Sequence, residues 1–413
     1  MRGTAATWWP ALLLGLATIG AYGTAYYSIG VLIPAISQDA DWSIGVLAAA
    51  FSVGTLGQGA IALLCGRLLD AGGSATVLRT SIVVGALLLL AASLTQESWQ
   101  FVVAWSSGAA IIGGGLYYNV TMPLTARLYA ERRAEAFSVL TLLGAMASPI
   151  FYPLTAWLIE LLGWRGALQV LVGVSFLCVA PAALLVRAPG GTKPSAARRS
   201  GWAARDALRH PAVHRLLVAF ALSAFANSAL LLHQVSAMQA AGLTLAAASG
   251  FAGARGAFQV PGRLFLTPLV KRFGVRRAVA TCLSLAATAS LALLLAIGAT
   301  SSTLLVVYFT VVSGVSLGML SPLNGLLQAE VYGDSILGTL SGINVIVVSV
   351  FGALGAWFAG FAAESTGSYV LPLTAAVLLQ LLAVAALRWQ GRAPRLEELQ
   401  TYDTPATLDV ASG

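Results

Sequence analysis

Residues 43–79 read SIGVLAAAFSVGTLGQGAIALLCGRLLDAGGSATVLR, and the fold turns on them. From Ser43 to Cys65 there is no charge at all. An uninterrupted apolar stretch of about 20 residues is what a helix needs to cross a hydrocarbon core. Arg67 and Asp70 then arrive together in a short glycine-rich connection, with Arg79 close behind, before the next apolar stretch takes over. A hydrophobic crossing closed by a short cationic turn is the signature of a cytoplasmic loop.

The same pattern recurs along the chain. Apolar stretches near residues 10–36, 43–65, 76–95, 100–126, 135–160, 166–187, 211–238, 246–270, 277–298, 303–328, 335–362 and 369–388 predict an all-α integral membrane protein with twelve transmembrane helices. Cations collect in alternate connections: Arg67 and Arg79; Arg127, Arg132 and Arg133; Lys193 through Arg215; and Lys271, Arg272, Arg276 and Arg277. The other connections carry Asp39, Asp41, Glu97, Glu160 and Glu364, with Arg165 as the exception. One connection on the cationic side, with Glu330 and Asp334, has no cation. Short Lys/Arg-rich loops stay cytoplasmic, so both termini are expected in the cytoplasm. Trp8 and Trp9 would anchor the first span at the interface, and that span is too long for a signal-peptide core.

Hydrophobic residues are 58% of the chain and charged residues 9%, which excludes an ordinary soluble globular protein. The net charge of +8 is spread over topogenic loops and forms no basic groove, so no nucleic-acid partner is expected. Cys65, Cys178 and Cys282 lie inside apolar spans at wide spacing, which suits small buried packers rather than a disulfide framework or a metal site. No phosphate-binding loop, zinc cluster or nucleophile elbow is present, so neither a cofactor, ATP-driven pumping nor an enzyme is indicated. Arg greatly outnumbers Lys, a hint of a GC-rich bacterial genome that points to a bacterial inner membrane.

The chain divides in two. Residues 1–187 and 211–390 each hold six spans, joined by a polar cytoplasmic linker at 188–210; residues 391–413 read as a disordered cytoplasmic tail. Gly66-Arg67 is echoed by Gly262-Arg263, and Pro123-Leu124 with Glu131 by Pro322-Leu323 with Glu330, at offsets of 196 to 199 residues. An internal duplication is the simplest source of such an echo. Parallel six-span repeats with a site between them at the midplane describe a rocking transporter.

Gly66-Arg67-Leu68-Leu69-Asp70-Ala71-Gly72-Gly73 resembles the loop after span 2 of the major facilitator superfamily. Tyr22 through Trp42-Ser43, Gly163-Trp164-Arg165, His233-Gln234-Val235, and Tyr332-Gly333 through Gly338-Thr339-Leu340-Ser341-Gly342 look like its monocarboxylate and oxalate:formate transporter branch. The superfamily resemblance covers about residues 8–390. It implies a charge-and-dipole latch on Gly66, Arg67, Asp70 and Gly73, with Arg127 and Arg263, that steadies the outward-facing state. The branch implies an Arg in span 8 against the substrate carboxylate. A Lys in span 1, present in many animal members, has no counterpart here.

Arg255 leads the binding residues, because it sits about ten residues into span 8 with no Asp or Glu at comparable depth. A guanidinium at that depth must face a cavity or a partner, and Arg grips a carboxylate through two parallel hydrogen bonds. Gln259 lies one turn on, on the same face. His233 is the one histidine within a span and the candidate for proton coupling. Tyr22 and Tyr26 fall one turn apart, and Tyr118, Asn119, Asn324 and Asn344 complete the expected polar lining, with Tyr117, Asn227 and Gln328 beside them. The expectation is therefore a monomeric secondary transporter of a small organic anion, a monocarboxylate, with proton symport, exchange or uniport as coupling modes and the lipid bilayer as its surroundings. The rivals are a drug:proton antiporter, which would place an acid in the N-terminal half, and a non-transporting membrane sensor.

Overall fold

In the computed structural model, the described residues are 8–187, 208, 211–298, 303–332 and 337–387. The linker at 188–210 apart from Leu208, the tail at 391–413, and Gly333 and Asp334 lie outside them. Helices account for the described chain, with no strand among them. The first half holds α1 (Trp9–Tyr22), a π-turn (Gly23–Tyr27), α2 (Ile29–Ala40), α3 (Ile44–Asp70), α4 (Ser74–Ser93), α5 (Ser98–Leu116), α6 (Tyr118–Leu128), α7 (Arg133–Ala145) and α8 (Ala147–Leu185). The second holds α9 (Pro211–Ala240), α10 (Leu245–Ala257), α11 (Gln259–Phe273), α12 (Val275–Gly298), α13 (Thr303–Tyr332), α14 (Leu337–Thr366) and α15 (Val370–Leu387).

Ten of the helical stretches are long and apolar enough to cross a membrane, against the twelve expected. Two features account for the difference. Glu135–Leu185 is a single stretch of 51 residues, which as a straight helix would run about 75 Å, over twice the hydrocarbon thickness. It breaks instead at Gly163, whose φ of 68° is open to glycine without a Cβ clash. Leu245–Phe273, which turns at Phe258, is absent from the ten because Arg255, Gln259 and Arg263 make it too polar.

Helix ends follow local chemistry. Ser43 caps α3, its Oγ accepting from the Val46 N–H at 3.2 Å, and Thr244 does the same for α10 through Ala247. Glu97 and Gln100 form a capping box on α5. At the cationic end, Arg79 donates to the Ala183 carbonyl near the end of α8 at 3.0 Å, and Arg132 lies over the Trp8 ring, which itself stacks on Tyr129. Arg165, the cation on the wrong side, is accounted for: its guanidinium reaches the Asp39 carboxylate at 3.4 Å and the Thr95 carbonyl at 3.0 Å.

Packing repeats between the halves. α3 lies on α5, α4 on α5, and α4 on α8; correspondingly α11 lies on α13, α12 on α13, and α12 on α15. The halves meet through α3 with α14 and α8 with α10, two pairs that exchange under the same two-fold relation. Glycines allow the closest approaches: a Cβ on Gly115 would lie 1.8 Å from Ser81 Oγ, and one on Gly314 would lie 2.5 Å from the Arg255 carbonyl. Outward, Leu63, Leu87, Leu177, Leu264 and Ile346 are between 61% and 75% exposed, a surface that only lipid covers comfortably.

Candidate functional site

A cavity of about 510 Å³ lies between the two halves. Its wall on the first half is aromatic: Tyr22, Tyr26 and Tyr27 from the π-turn region and Tyr118 from α6. Its wall on the second half is amide and hydroxyl: Asn227 and Ser223 of α9, Gln259 of α11, Asn324 of α13 and Asn344 of α14. Among the described residues, the charged side chain on the wall is Arg263.

The π-turn explains why three tyrosines share this wall. Ser28 N–H donates to the Gly23 carbonyl at 3.0 Å, an i to i+5 bond that widens the helix by one residue. Side chains four and five positions on from Tyr22 then straddle a single turn, so Tyr26 and Tyr27 both reach the cavity. Gly23 is required at the start of this turn, because a Cβ there would lie 2.2 Å from the Phe151 ring. Thr24 Oγ1 donates to the Leu171 carbonyl at 3.0 Å and fixes the widened turn to α8. Tyr22 stacks on Tyr117 at 3.8 Å between centroids with 12° between planes. Tyr117 is extended at the α5–α6 break, where Asn119 donates to the Gly114 carbonyl at 2.7 Å. Asn119, expected in the lining, is therefore spent on that break and is not on the cavity wall. The Tyr118 hydroxyl occupies the space that a Cβ on Gly144 would need.

Arg255 and His233, expected at the binding site, are not on the cavity wall either. Arg255 is 4% exposed, its Nε donating to Ser313 Oγ at 2.8 Å and its Nη1 to Gln234 Oε1 at 3.0 Å, with Phe309 beneath the guanidinium. No carboxylate among the described residues pairs with Arg255 or Arg263. Gln234 in turn donates to the Tyr152 hydroxyl at 2.7 Å, and that hydroxyl donates to the Leu231 carbonyl at 3.3 Å, joining α8 to α9. His233 is buried with Nε2 3.0 Å from the Ala356 carbonyl, while Nδ1 has no hydrogen-bond partner.

Every side-chain hydrogen bond that crosses between the halves, among the described residues, lies on the side of the cavity away from the cationic loops. Besides Tyr152, these are Ser52 Oγ donating to the Ala353 carbonyl at 2.7 Å, and Glu364, whose Oε2 accepts from Ser43 Oγ and from the Gly45 N–H at 3.0 Å. At the cationic end Asp70 pairs with Arg127 at 2.5 Å, and Arg127 also donates to the Leu69 carbonyl at 2.7 Å. Both partners belong to the first half. Arg263, expected to join them, stands in the cavity wall, and no bond links it to Asp70.

A family model described as the Major Facilitator Superfamily matches residues 14–356 and 234–408. The chain belongs to the major facilitator superfamily. It is thus a multi-pass membrane transporter rather than an enzyme. No curated protein matches it at the sequence level. Its fold is that of solved superfamily structures. The nucleoside transporter NupG is similar at TM-score 0.76 and 13% identity, covering 93% of this chain and 99% of that one. A bacterial homolog of the human lysosomal transporter Spinster, inward-facing and unoccupied, is similar at TM-score 0.73 and 13% identity, covering 92% and 95%. A structure of proton-dependent oligopeptide transporters is similar at TM-score 0.69 and 15% identity, covering 92% and 98%.

Of the binding residues read from sequence, the superfamily fold brings Tyr22, Tyr26, Tyr118, Gln259, Asn324 and Asn344 together on one cavity. Sequence reasoning did not give Tyr27 a place, because a regular helix puts it about 100° from Tyr26. It also gave Arg263 to the latch. The depth of Arg263, about one and a half turns past the Phe258 break, depended on a break that the sequence did not announce.

Proposed function

We propose that this superfamily member is a secondary active transporter of a small organic anion, with a carboxylate as the charged group, working by alternating access through twelve crossings with both termini in the cytoplasm. One observation carries the reading: among the described residues, the wall of the central cavity bears a guanidinium, Arg263, and no carboxylate. A cation transporter needs the opposite sign at that position. The cavity lies towards the cationic loops, and the two halves are hydrogen-bonded beyond it, which supports an inward-open state. In this reading Arg263 receives the anion from the cytoplasmic side. Arg255, held by the neutral partners Gln234 and Ser313, is exposed to cargo when the Tyr152 and Glu364 contacts open. Arg67, Asp70, Gly66, Gly73 and Arg127 steady the opposite state from the cytoplasmic end, and His233 carries the coupling proton.

The test is uptake of labelled carboxylates into proteoliposomes, with and without a pH gradient. Wild-type uptake that Arg263→Gln and Arg255→Gln each strongly reduce at low substrate supports the proposal. Undiminished uptake by both variants overturns it.

A second reading has its own observation. Asn227, Gln259, Asn324 and Asn344 give the second wall a run of amides suited to an uncharged polar solute, and the fold resembles a nucleoside transporter. Nucleoside uptake that ignores Arg263→Gln would establish this alternative.

A further inference from the structure

The anion reading leaves the tyrosines unexplained, since a short aliphatic acid needs a guanidinium and a few donors but no ring surface. Resting on that reading, we infer that the cargo is an aromatic carboxylate, its flat ring lying against the tyrosines of the π-turn and its carboxylate directed to Arg263. Three features of the cavity carry this.

The first is the π-turn itself. It is a rare distortion that appears frequently at functional sites, and here its effect is to turn Tyr27 onto the wall already bearing Tyr22 and Tyr26. The distortion is held from several sides: Gly23 against Phe151, Thr24 on the Leu171 carbonyl, and Ser28 Oγ on the Thr24 carbonyl at 2.5 Å. The second is ring geometry. Tyr22 has one face covered by Tyr117 and is only partly buried, while Tyr26 and Tyr27 meet edge to face at 5.2 Å and 83°. Such a corner offers both a face and an edge to an incoming ring, the two arrangements that aromatic pairs prefer. The third is size. About 510 Å³ falls in the range of pockets that enclose ring-sized ligands, roughly 300 to 1,000 Å³. Arg263 lines the same cavity as Tyr22, Tyr26, Tyr27 and Tyr118, so one planar molecule can meet the charge and the rings together.

The experiment measures benzoate uptake at neutral pH into proteoliposomes, corrected for leak with protein-free liposomes. Unlabelled benzoate, 4-hydroxybenzoate, cyclohexanecarboxylate, propionate and benzamide serve as competitors. Benzoate and 4-hydroxybenzoate should compete about tenfold better than cyclohexanecarboxylate, which has the charge and bulk but no π-face, and propionate should compete least. Tyr22→Leu should raise the KM for benzoate about fivefold and that for propionate by a clearly smaller factor, and Tyr22→Phe should keep the wild-type KM for benzoate. Benzoate-induced thermal stabilisation of each purified variant separates lost binding from lost folding. If Arg263→Gln abolishes carboxylate uptake but cyclohexanecarboxylate or propionate is handled as well as benzoate, the aromatic inference is overturned and the anion reading stands. If benzamide competes as well as benzoate and Arg263→Gln changes nothing, the anion reading falls and this inference falls with it.

Discussion

Two arginines in one helical pair have different surroundings, and their substitutions should differ in kind. Arg263 is on the open cavity wall, so Arg263→Gln should raise KM for uptake from the cytoplasmic face by about tenfold or more, the loss expected for a charge-assisted bond. Arg255 is sealed under Gln234 and Ser313, so Arg255→Gln should leave that KM nearly unchanged and lower the turnover, as measured from KM and kcat in vesicles of defined orientation. By contrast, the exposed Arg132–Glu135 pair is a solvated surface contact. Because both side chains are exposed, Glu135→Gln should leave the melting temperature in detergent near that of wild type.

At the scale of elements, glycine decides which helices touch. Gly114 and Gly115 of α5 and Gly314 and Gly318 of α13 each sit where a Cβ would come within 1.8 to 2.5 Å of a neighbouring atom. The clash at Gly318 is with the Gln259 backbone, which cannot swing aside as a side chain can. Gly318→Ala should therefore cost about 1 to 3 kcal/mol, seen as a fall in melting temperature by fluorescence-detected chromatography. Gly59→Ala, with nothing within 4 Å of its Cβ position, is the control and should be neutral. Much of this level was legible in the sequence. The apolar lengths gave the stretches long enough to cross. The π-turn was not legible, because no local pattern distinguishes Gly23–Tyr27 from α-helix; Phe151 and Leu171, from a helix far along the chain, hold it open.

For the whole molecule, the contacts beyond the cavity form a seal that must break for transport. Glu364 bonds Ser43 and the Gly45 N–H at the start of α3, where exposed N–H groups favour a carboxylate. Tyr152 bridges Gln234 and the Leu231 carbonyl. Glu364→Gln together with Tyr152→Phe should shift the resting population towards the opposite opening. Labelling of a cysteine placed at Ala49, on the sealed side, should then rise several-fold with a membrane-impermeant thiol reagent. A Ser43→Cys, Glu364→Cys pair, oxidised to a disulfide, should do the reverse and stop uptake until reduced.

The sequence by itself determined the membrane class, the apolar lengths and which connections carry the cations. These rest on hydrocarbon thickness and on the cost of burying charge, which act on residues wherever the chain goes. It also supplied the residue types of the cavity, Tyr22, Tyr26, Tyr118, Gln259, Asn324 and Asn344, because polar side chains deep in a span must find a lining or a neighbour. Only the tertiary structure decided which arginine meets the cavity. Depth along a helix is set by sequence, but direction around it depends on the break at Phe258 and on how closely α13 lets α10 and α11 approach. Arg255 was drawn into bonds with Gln234 and Ser313, and Arg263 was left facing open space.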